Sequence, residues 1–141
     1  MKIELNTIFR WCNDVATMRH FYTECLGLEE TYFRSDAEHG WLTYQIGEVQ
    51  LVFIRSGEPL PVTTQFAQNP GYQGGDLHAE SWVLKVERPS FNIIVHRLQN
   101  SGYALFTPEP SAPRPGALQL LTLDPMGFTV EIYTEFEIPE S

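Results

Sequence analysis

Hydrophobic and polar positions along this chain alternate, then recur at helical spacing, and the whole sequence of patterns is played twice. Ile3, Leu5, Thr7, Phe9 and Trp11 alternate with Glu4, Asn6, Ile8 and Arg10. A period of two predicts a strand. Asp14 suits the N-cap of the run that follows. There Val15, Met18, Phe21, Tyr22, Cys25 and Leu26 recur at three and four and form one apolar face on a helix, which Gly27 closes. Leu28 to Arg34 predicts a second strand and Ser35 to Gly40 a polar turn. Trp41 to Ile46 and Val49 to Arg55 predict a hairpin around Gly47-Glu48. From Glu80 the order returns. Ser81, Val83, Lys85 and Glu87 alternate with Trp82, Leu84 and Val86, and Pro89 sits where the first turn of a helix tolerates it. Phe91, Ile94, Val95 and Leu98 make that helix's apolar face, closed by Gly102. Tyr103 to Phe106 predicts a short strand, and Ala117 to Leu123 with Phe128 to Glu135 a last hairpin about Asp124-Pro125-Met126-Gly127.

Two copies of strand, helix and three strands imply two open sheets facing each other across a cleft. Residues that line such a cleft decide function. The organisation expected is one domain over 1–141, with unit one at 1–55, a connection at 56–79, unit two at 80–136 and a tail at 137–141. The connection carries Pro59, Pro61 and Pro70 and the glycines Gly57, Gly71, Gly74 and Gly75, with little periodicity. Connections of that length inside a compact domain are uncommon unless functional or flexible. Phe66 and Tyr72 suggest that it packs somewhere. Gly71 to Gly75 lacks the strand-loop-helix context and the Lys-Ser/Thr of a phosphate loop. Pro108, Pro110, Pro113 and Pro115 mark an extended loop.

Composition narrows the classes. The chain has 141 residues, 43% of them hydrophobic and 13% aromatic, as a folded chain with a real core requires. Its formal net charge of −9 speaks against nucleic acid and anionic membranes as partners. Cys12 and Cys25 do not make a disulfide framework, and Cys25 reads as a buried apolar residue of the helix. Met1-Lys2 leads straight into a strand pattern, and no apolar run approaches a membrane span. The expected location is the cytoplasm.

Two segments are similar to those of a known superfamily. Asp14 followed by Phe21-Tyr22-Thr23-Glu24-Cys25-Leu26-Gly27-Leu28 resembles a helix end of the vicinal oxygen chelate superfamily. Asp124-Pro125-Met126-Gly127-Phe128-Thr129-Val130-Glu131-Ile132-Tyr133 resembles its closing hairpin. That group includes glyoxalase I, extradiol dioxygenases, and fosfomycin- and bleomycin-resistance proteins. The resemblance implies an α+β fold of two tandem βαβββ units, whose cupped mixed sheets surround a cleft with the helices outside. It also implies a homodimer. Such a fold hosts many chemistries, so it does not name a reaction.

The resemblance further implies where a metal would sit, with one ligand on the first and one on the last strand of each unit. Those positions fall on Thr7, Gln50, Ser81 and Glu131. Histidine would be expected at Thr7 and at Ser81. Catalytic transition-metal sites use imidazole, carboxylate or thiolate ligands, and this set offers one charge and weak neutral oxygens. No tight Zn²⁺, Ni²⁺ or Fe²⁺ is therefore expected. His78, three residues before Ser81, would need a register shift to enter.

With Thr7 and Ser81 facing the cleft, strand parity sends Leu5, Phe9, Trp11, Val52, Ile54, Val83, Lys85, Thr129 and Tyr133 the same way. The ligand-binding candidates are Thr7, Phe9, Trp11, Gln50, Val52, Ser81, Lys85 and Tyr133, although Phe9, Trp11 and Tyr133 also read as plain packing. Glu131 is the catalytic candidate. A carboxylate in an apolar cleft must find a cation or donors, or take up a proton. Lys85 and the Gln50 amide are its partners by parity, and a structural hydrogen-bond network is the competing account. His20 and His96 read as surface residues on helices, and His39 and His78 as solvated loop residues. Three functions are open: a metal-free small-molecule-binding protein of the bleomycin-resistance kind, with no cofactor; a glyoxalase- or dioxygenase-type enzyme using Glu131 as general base or with an atypical divalent metal; and a structural module.

Overall fold

The computed structural model describes residues 1–70 and 74–139. The chain divides into two compact units, Met1–Pro61 and Val62–Ser141. In unit 1, strands β1 (Thr7–Cys12), β2 (Glu29–Ser35), β3 (Gly40–Ile46) and β4 (Val49–Arg55) form one sheet in the order β1-β4-β3-β2. β1 runs parallel to β4 and the other pairs are antiparallel, so the sheet is mixed. In unit 2, β5 (Ser81–Lys85), β6 (Ala117–Leu123) and β7 (Thr129–Glu135) form a sheet in the order β5-β7-β6. Here too the first strand is parallel to the last, β5 to β7, while β6 and β7 are antiparallel. The α+β class and the repeat of mixed sheets expected from the sequence are what the chain adopts.

A helix covers one face of each sheet. Asp14 caps α1 (Val15–Arg19) by accepting from the Ala16 and Thr17 amides. The helix then widens into a π-helical segment, His20–Cys25, with Leu26 N–H donating to the Phe21 carbonyl five residues back. Its apolar face, Val15, Met18, Phe21 and Tyr22, is fully buried with Leu42, Tyr44 and Phe53 of β3 and β4. Cys12 and Cys25 are buried free thiols. In unit 2, α2 (Arg88–Gln99) carries a proline in its first turn and buries Phe91, Ile94, Val95 and Leu98. Leu84, Leu120, Val130 and Ile132 form the buried sheet face of that unit.

Two sequence expectations are corrected. Strand β1 begins at Thr7 rather than Ile3, and Ile3 and Leu5 stay exposed. The pattern continues upstream, but β4 begins at Val49 after the turn, so residues before Asn6 have no strand to pair with. The predicted strand Tyr103 to Phe106 is reduced to one bridge, Leu105 to Thr122, followed by a second, Ser111 to Gln119. Between them Pro108 and Pro110 have no amide hydrogen to donate, so a continuous ladder cannot form. The connection makes hydrogen bonds and ring contacts of its own. Leu60 exchanges two hydrogen bonds with the Asn13 side chain in unit 1. The stretch 62–70 belongs to unit 2, where the Ala67 amide donates to Thr129 Oγ1 and Phe66 meets Phe106 edge-on at 5.3 Å. Tyr72 and residues 71–73 of the glycine-rich stretch lie outside the described residues.

Candidate functional site

Strand register sorts the side chains of each sheet onto two faces, and the face away from the helix carries the chemistry. In unit 1 that face has three rows. Thr7, Gln50 and Gln45 form the first, Phe9, Val52, Thr43 and Tyr32 the second, and Trp11, Ile54, Trp41 and Arg34 the third. Phe9 and Trp11 are exposed within unit 1, at 54% and 57%, whereas Val52 is buried. The Thr7 hydroxyl donates to Asn6 Oδ1 at 2.6 Å. The register thus brings Thr7 and Gln50 side by side, as adjacent partners of the parallel pair.

In unit 2 the corresponding face carries Ser81 beside Thr129, Val83 beside Glu131 and Leu121, and Lys85 beside Tyr133 and Gln119. Ser81 is therefore one row away from Glu131. Lys85 does not partner Glu131. Its ammonium lies 3.6 Å from Glu135. Tyr133 hydroxyl donates to the same Glu135 at 2.9 Å and accepts from Arg114, whose guanidinium is 3.2 Å from Glu135. Lys85 and Tyr133 thus belong to an exposed polar cluster at the end of β7. Thr129, fully buried, is occupied by the Ala67 amide.

Glu131 remains without a hydrogen bond or ion pair among the described residues. Partly buried, its carboxyl is pushed up from the ordinary value by desolvation. It lines a cavity of about 350 Å³ together with Asn69, Pro70, Ser111, Ala112, Pro113 and Gln119. The Asn69 side-chain amide nitrogen is out of solvent reach and has no acceptor among the described residues. The Glu131 carboxyl thus faces this space unsatisfied among the described residues, which costs free energy unless a ligand or water completes it. Sequence reasoning missed Asn69, Ser111 and Gln119. Only Gln119 left a signal, as a polar residue inside the apolar run Leu118 to Leu123.

The donor chemistry does not fit a resident transition metal. Unit 1 offers a hydroxyl and an amide, Thr7 and Gln50, and unit 2 offers Ser81 and Glu131 from different rows. Among the described residues no three His, Cys, Asp or Glu side chains assemble as metal ligands. His78 is exposed in a turn, where its amide donates to Asp76. His20 is exposed and 3.3 Å from Glu24 on its own helix. His96 is exposed in the last turn of α2. No helix among the described residues is long and apolar enough to cross a membrane.

No protein-family model matches the chain, and no curated protein matches it in sequence. Solved structures do match. The oxidase ChaP-H1 superposes with a TM-score of 0.67 at 19% identity, over 95% of this chain and 97% of its own. Fosfomycin resistance protein FosX from Listeria monocytogenes gives 0.65 at 13%, over 99% and 97%. A glyoxalase family protein from Bacillus anthracis gives 0.61 at 15%, over 96% and 97%. At these identities the likeness speaks for the fold and leaves the reaction open. Taken with the register of the two mixed sheets, it shows that this chain shares the fold of these three structures.

Proposed function

We propose that the chain binds a small organic ligand without a resident metal, in the unit 2 cavity around Glu131. The observation that carries this reading is the Glu131 carboxyl, without a partner among the described residues, on the wall of a cavity of small-molecule size. A ligand that brings an N–H or ammonium to Glu131 satisfies it. The net charge of −9 favours cationic ligands by long-range attraction. A FosX from Listeria monocytogenes with a similar fold was solved with Mn(II) and 1S,2S-dihydroxypropylphosphonic acid. Here the family's ligand positions hold Thr7, Gln50 and Ser81 besides Glu131, a set better suited to hydrogen bonding than to holding Mn(II).

The test is a thermal-shift and calorimetric screen of cationic and hydrophobic small molecules against chelator-treated protein, with metal content measured on protein purified without chelator. A saturable ligand that survives chelation and weakens in Glu131→Gln and Asn69→Ala supports the reading. Stoichiometric metal, or no ligand in the panel, counts against it.

A second reading follows from the raised Glu131 carboxyl. A base held above the usual carboxylate range suits proton abstraction beside a carbonyl. Turnover lost in Glu131→Gln while substrate still binds distinguishes this enzyme from a binding protein.

A further inference from the structure

The walls of the Glu131 cavity select among ligands as well as attract them. Strand register says which side chains share the face that carries Glu131. On β7, Glu131 stands between Val83 of β5 and Leu121 of β6. One row along, Gln119 of β6 partners Tyr133, and Ser111 bridges to Gln119 from the other side through two backbone hydrogen bonds. Directly opposed residues of an antiparallel pair lie on one face, so the Ser111 and Gln119 side chains lie on the face of Glu131. Diagonal neighbours such as Glu131 and Gln119 are about 7–8 Å apart, a gap that one small polar group spans.

The chemistry of the lining is one-sided. Among the described residues that line the cavity, Glu131 is the single charged group, and there is no Lys, Arg or His. The cations of the next row do not fill that role, because Lys85 and Arg114 are both held by Glu135. Pro70 and Pro113 add apolar wall and have no amide hydrogen to offer an anion. An anionic group on the ligand thus meets no partner here. Nor does an aromatic ring stand among those described lining residues. A quaternary ammonium, which has no N–H and is recognised chiefly by aromatic faces, finds little to hold it. An ammonium that keeps its N–H groups is matched differently. It forms a charge-assisted hydrogen bond with a carboxylate, and its other hydrogens have the Ser111 hydroxyl and the Gln119 side chain on the same face to meet. The volume of about 350 Å³ is near the small end of ligand pockets.

Resting on the binding reading above, we infer that the ligand of this cavity is a small protonated aliphatic amine, which donates N–H to the Glu131 carboxylate and carries no anionic group. Val83, Leu121 and the two prolines supply the apolar surroundings for its hydrocarbon body.

Cyclohexylamine is the probe. It is titrated into chelator-treated, labelled full chain at about 0.15 M salt, where long-range attraction to the net charge is screened. Three comparators keep the ring. The N,N,N-trimethylcyclohexylammonium ion keeps the charge and loses every N–H, cyclohexanol loses the charge, and trans-4-aminocyclohexanecarboxylate adds an anion. Amide shifts are followed by NMR at Ser111, Ala112, Gln119 and Glu131. Cyclohexylamine should give saturable shifts there, and each comparator should bind at least about tenfold more weakly, as loss of a hydrogen bond to a charged group requires. Glu131→Gln should weaken cyclohexylamine by a similar factor. Ser111→Ala is the second variant, and it should weaken cyclohexylamine while leaving the trimethyl ion unchanged. Equal or tighter binding of any comparator overturns the amine assignment, and if that binding falls in Glu131→Gln, the cavity remains the binding site with a different ligand. Cyclohexylamine that gives no shifts, or whose affinity is untouched in Glu131→Gln, also overturns the proposal, and the wider ligand screen then decides the binding reading by itself.

Discussion

Gly127→Ala tests how the Glu131 cavity is built. Asn69 lines the Glu131 cavity because the segment 62–70 lies on the sheet of unit 2, and that segment is docked at two points. One is the Ala67 amide on Thr129 Oγ1 at 2.8 Å. The other is the Thr63 carbonyl, which comes so close to the Asp124 to Gly127 turn that a Cβ on Gly127 would collide with it. Gly127 also has φ +83°. Alanine there adds about 1–2 kcal/mol of left-handed strain and about 1–3 kcal/mol for the forced shift of Thr63. The sum, roughly 2–5 kcal/mol, can be separated into its parts. At Gly102, with φ +86°, a Cβ would meet nothing within 4 Å, so Gly102→Ala carries the strain alone. For 141 residues, each kcal/mol corresponds to about 3 °C in Tm. Calorimetric scans should therefore place Gly127→Ala about 6–15 °C below wild type, and Gly102→Ala about 3–6 °C below it. Hydrogen exchange gives an independent readout, because the Ala67 amide should lose protection in Gly127→Ala and keep it in Gly102→Ala. If the two variants cost the same and Ala67 stays protected, the segment is not seated on the turn, and the geometry assigned to Asn69 fails with it.

Two further outcomes follow from unsatisfied groups. Thr134 is fully buried and its hydroxyl has no partner among the described residues, so Thr134→Val removes a stranded polar atom at nearly constant shape. Chemical denaturation should show about 1 kcal/mol of added stability, and a loss of that size would mean the hydroxyl is in fact satisfied. Glu131 gives a pH signature. Its folded carboxyl titrates above the unfolded value because burial disfavours the charge, so the folded state binds more protons between the two values. Stability from this group is then lost as pH rises from the ordinary carboxylate range through the raised folded value. Glu131→Gln should be more stable than wild type at pH 7, with the difference closing at pH 3 in urea titrations. A difference that is the same at both pH values, or reversed at pH 7, contradicts the assignment.

The sequence carried most of the architecture because the signals are local. Asp14 announces its helix by its own side chain, and Asp124 announces the last turn, where it accepts from the Met126 and Phe128 amides. Both lie in the segments that resemble the superfamily. What the sequence did not carry depends on distant partners. Ile3 and Leu5 alternate as well as Phe9 and Trp11 do, but pairing needs a neighbour and β4 starts too late to provide one. The π-helical turn at His20–Cys25 leaves the apolar spacing nearly intact, so periodicity does not separate it from ordinary helix. Parity correctly put Glu131 and Lys85 on one face, yet it could not show that Glu135 takes the lysine. Asn69 had no pattern at all, because it lies in a stretch without period.

Glu131, Lys85 and Tyr133 separate residues that serve the fold from those that serve a ligand. All three face the same side of the same sheet. Lys85 and Tyr133 are accounted for by Glu135 and Arg114, so no ligand is needed to explain them. Glu131 was open to the same structural explanation, a hydrogen-bond network, and among the described residues it has none. Leu121 on one side and exposed Val83 on the other give it no donor within the sheet. A carboxylate that neither packs nor pairs lowers stability, and an apolar residue of similar size would fit beside Leu121 at less cost. Such a group makes physical sense where something outside the chain supplies its partner.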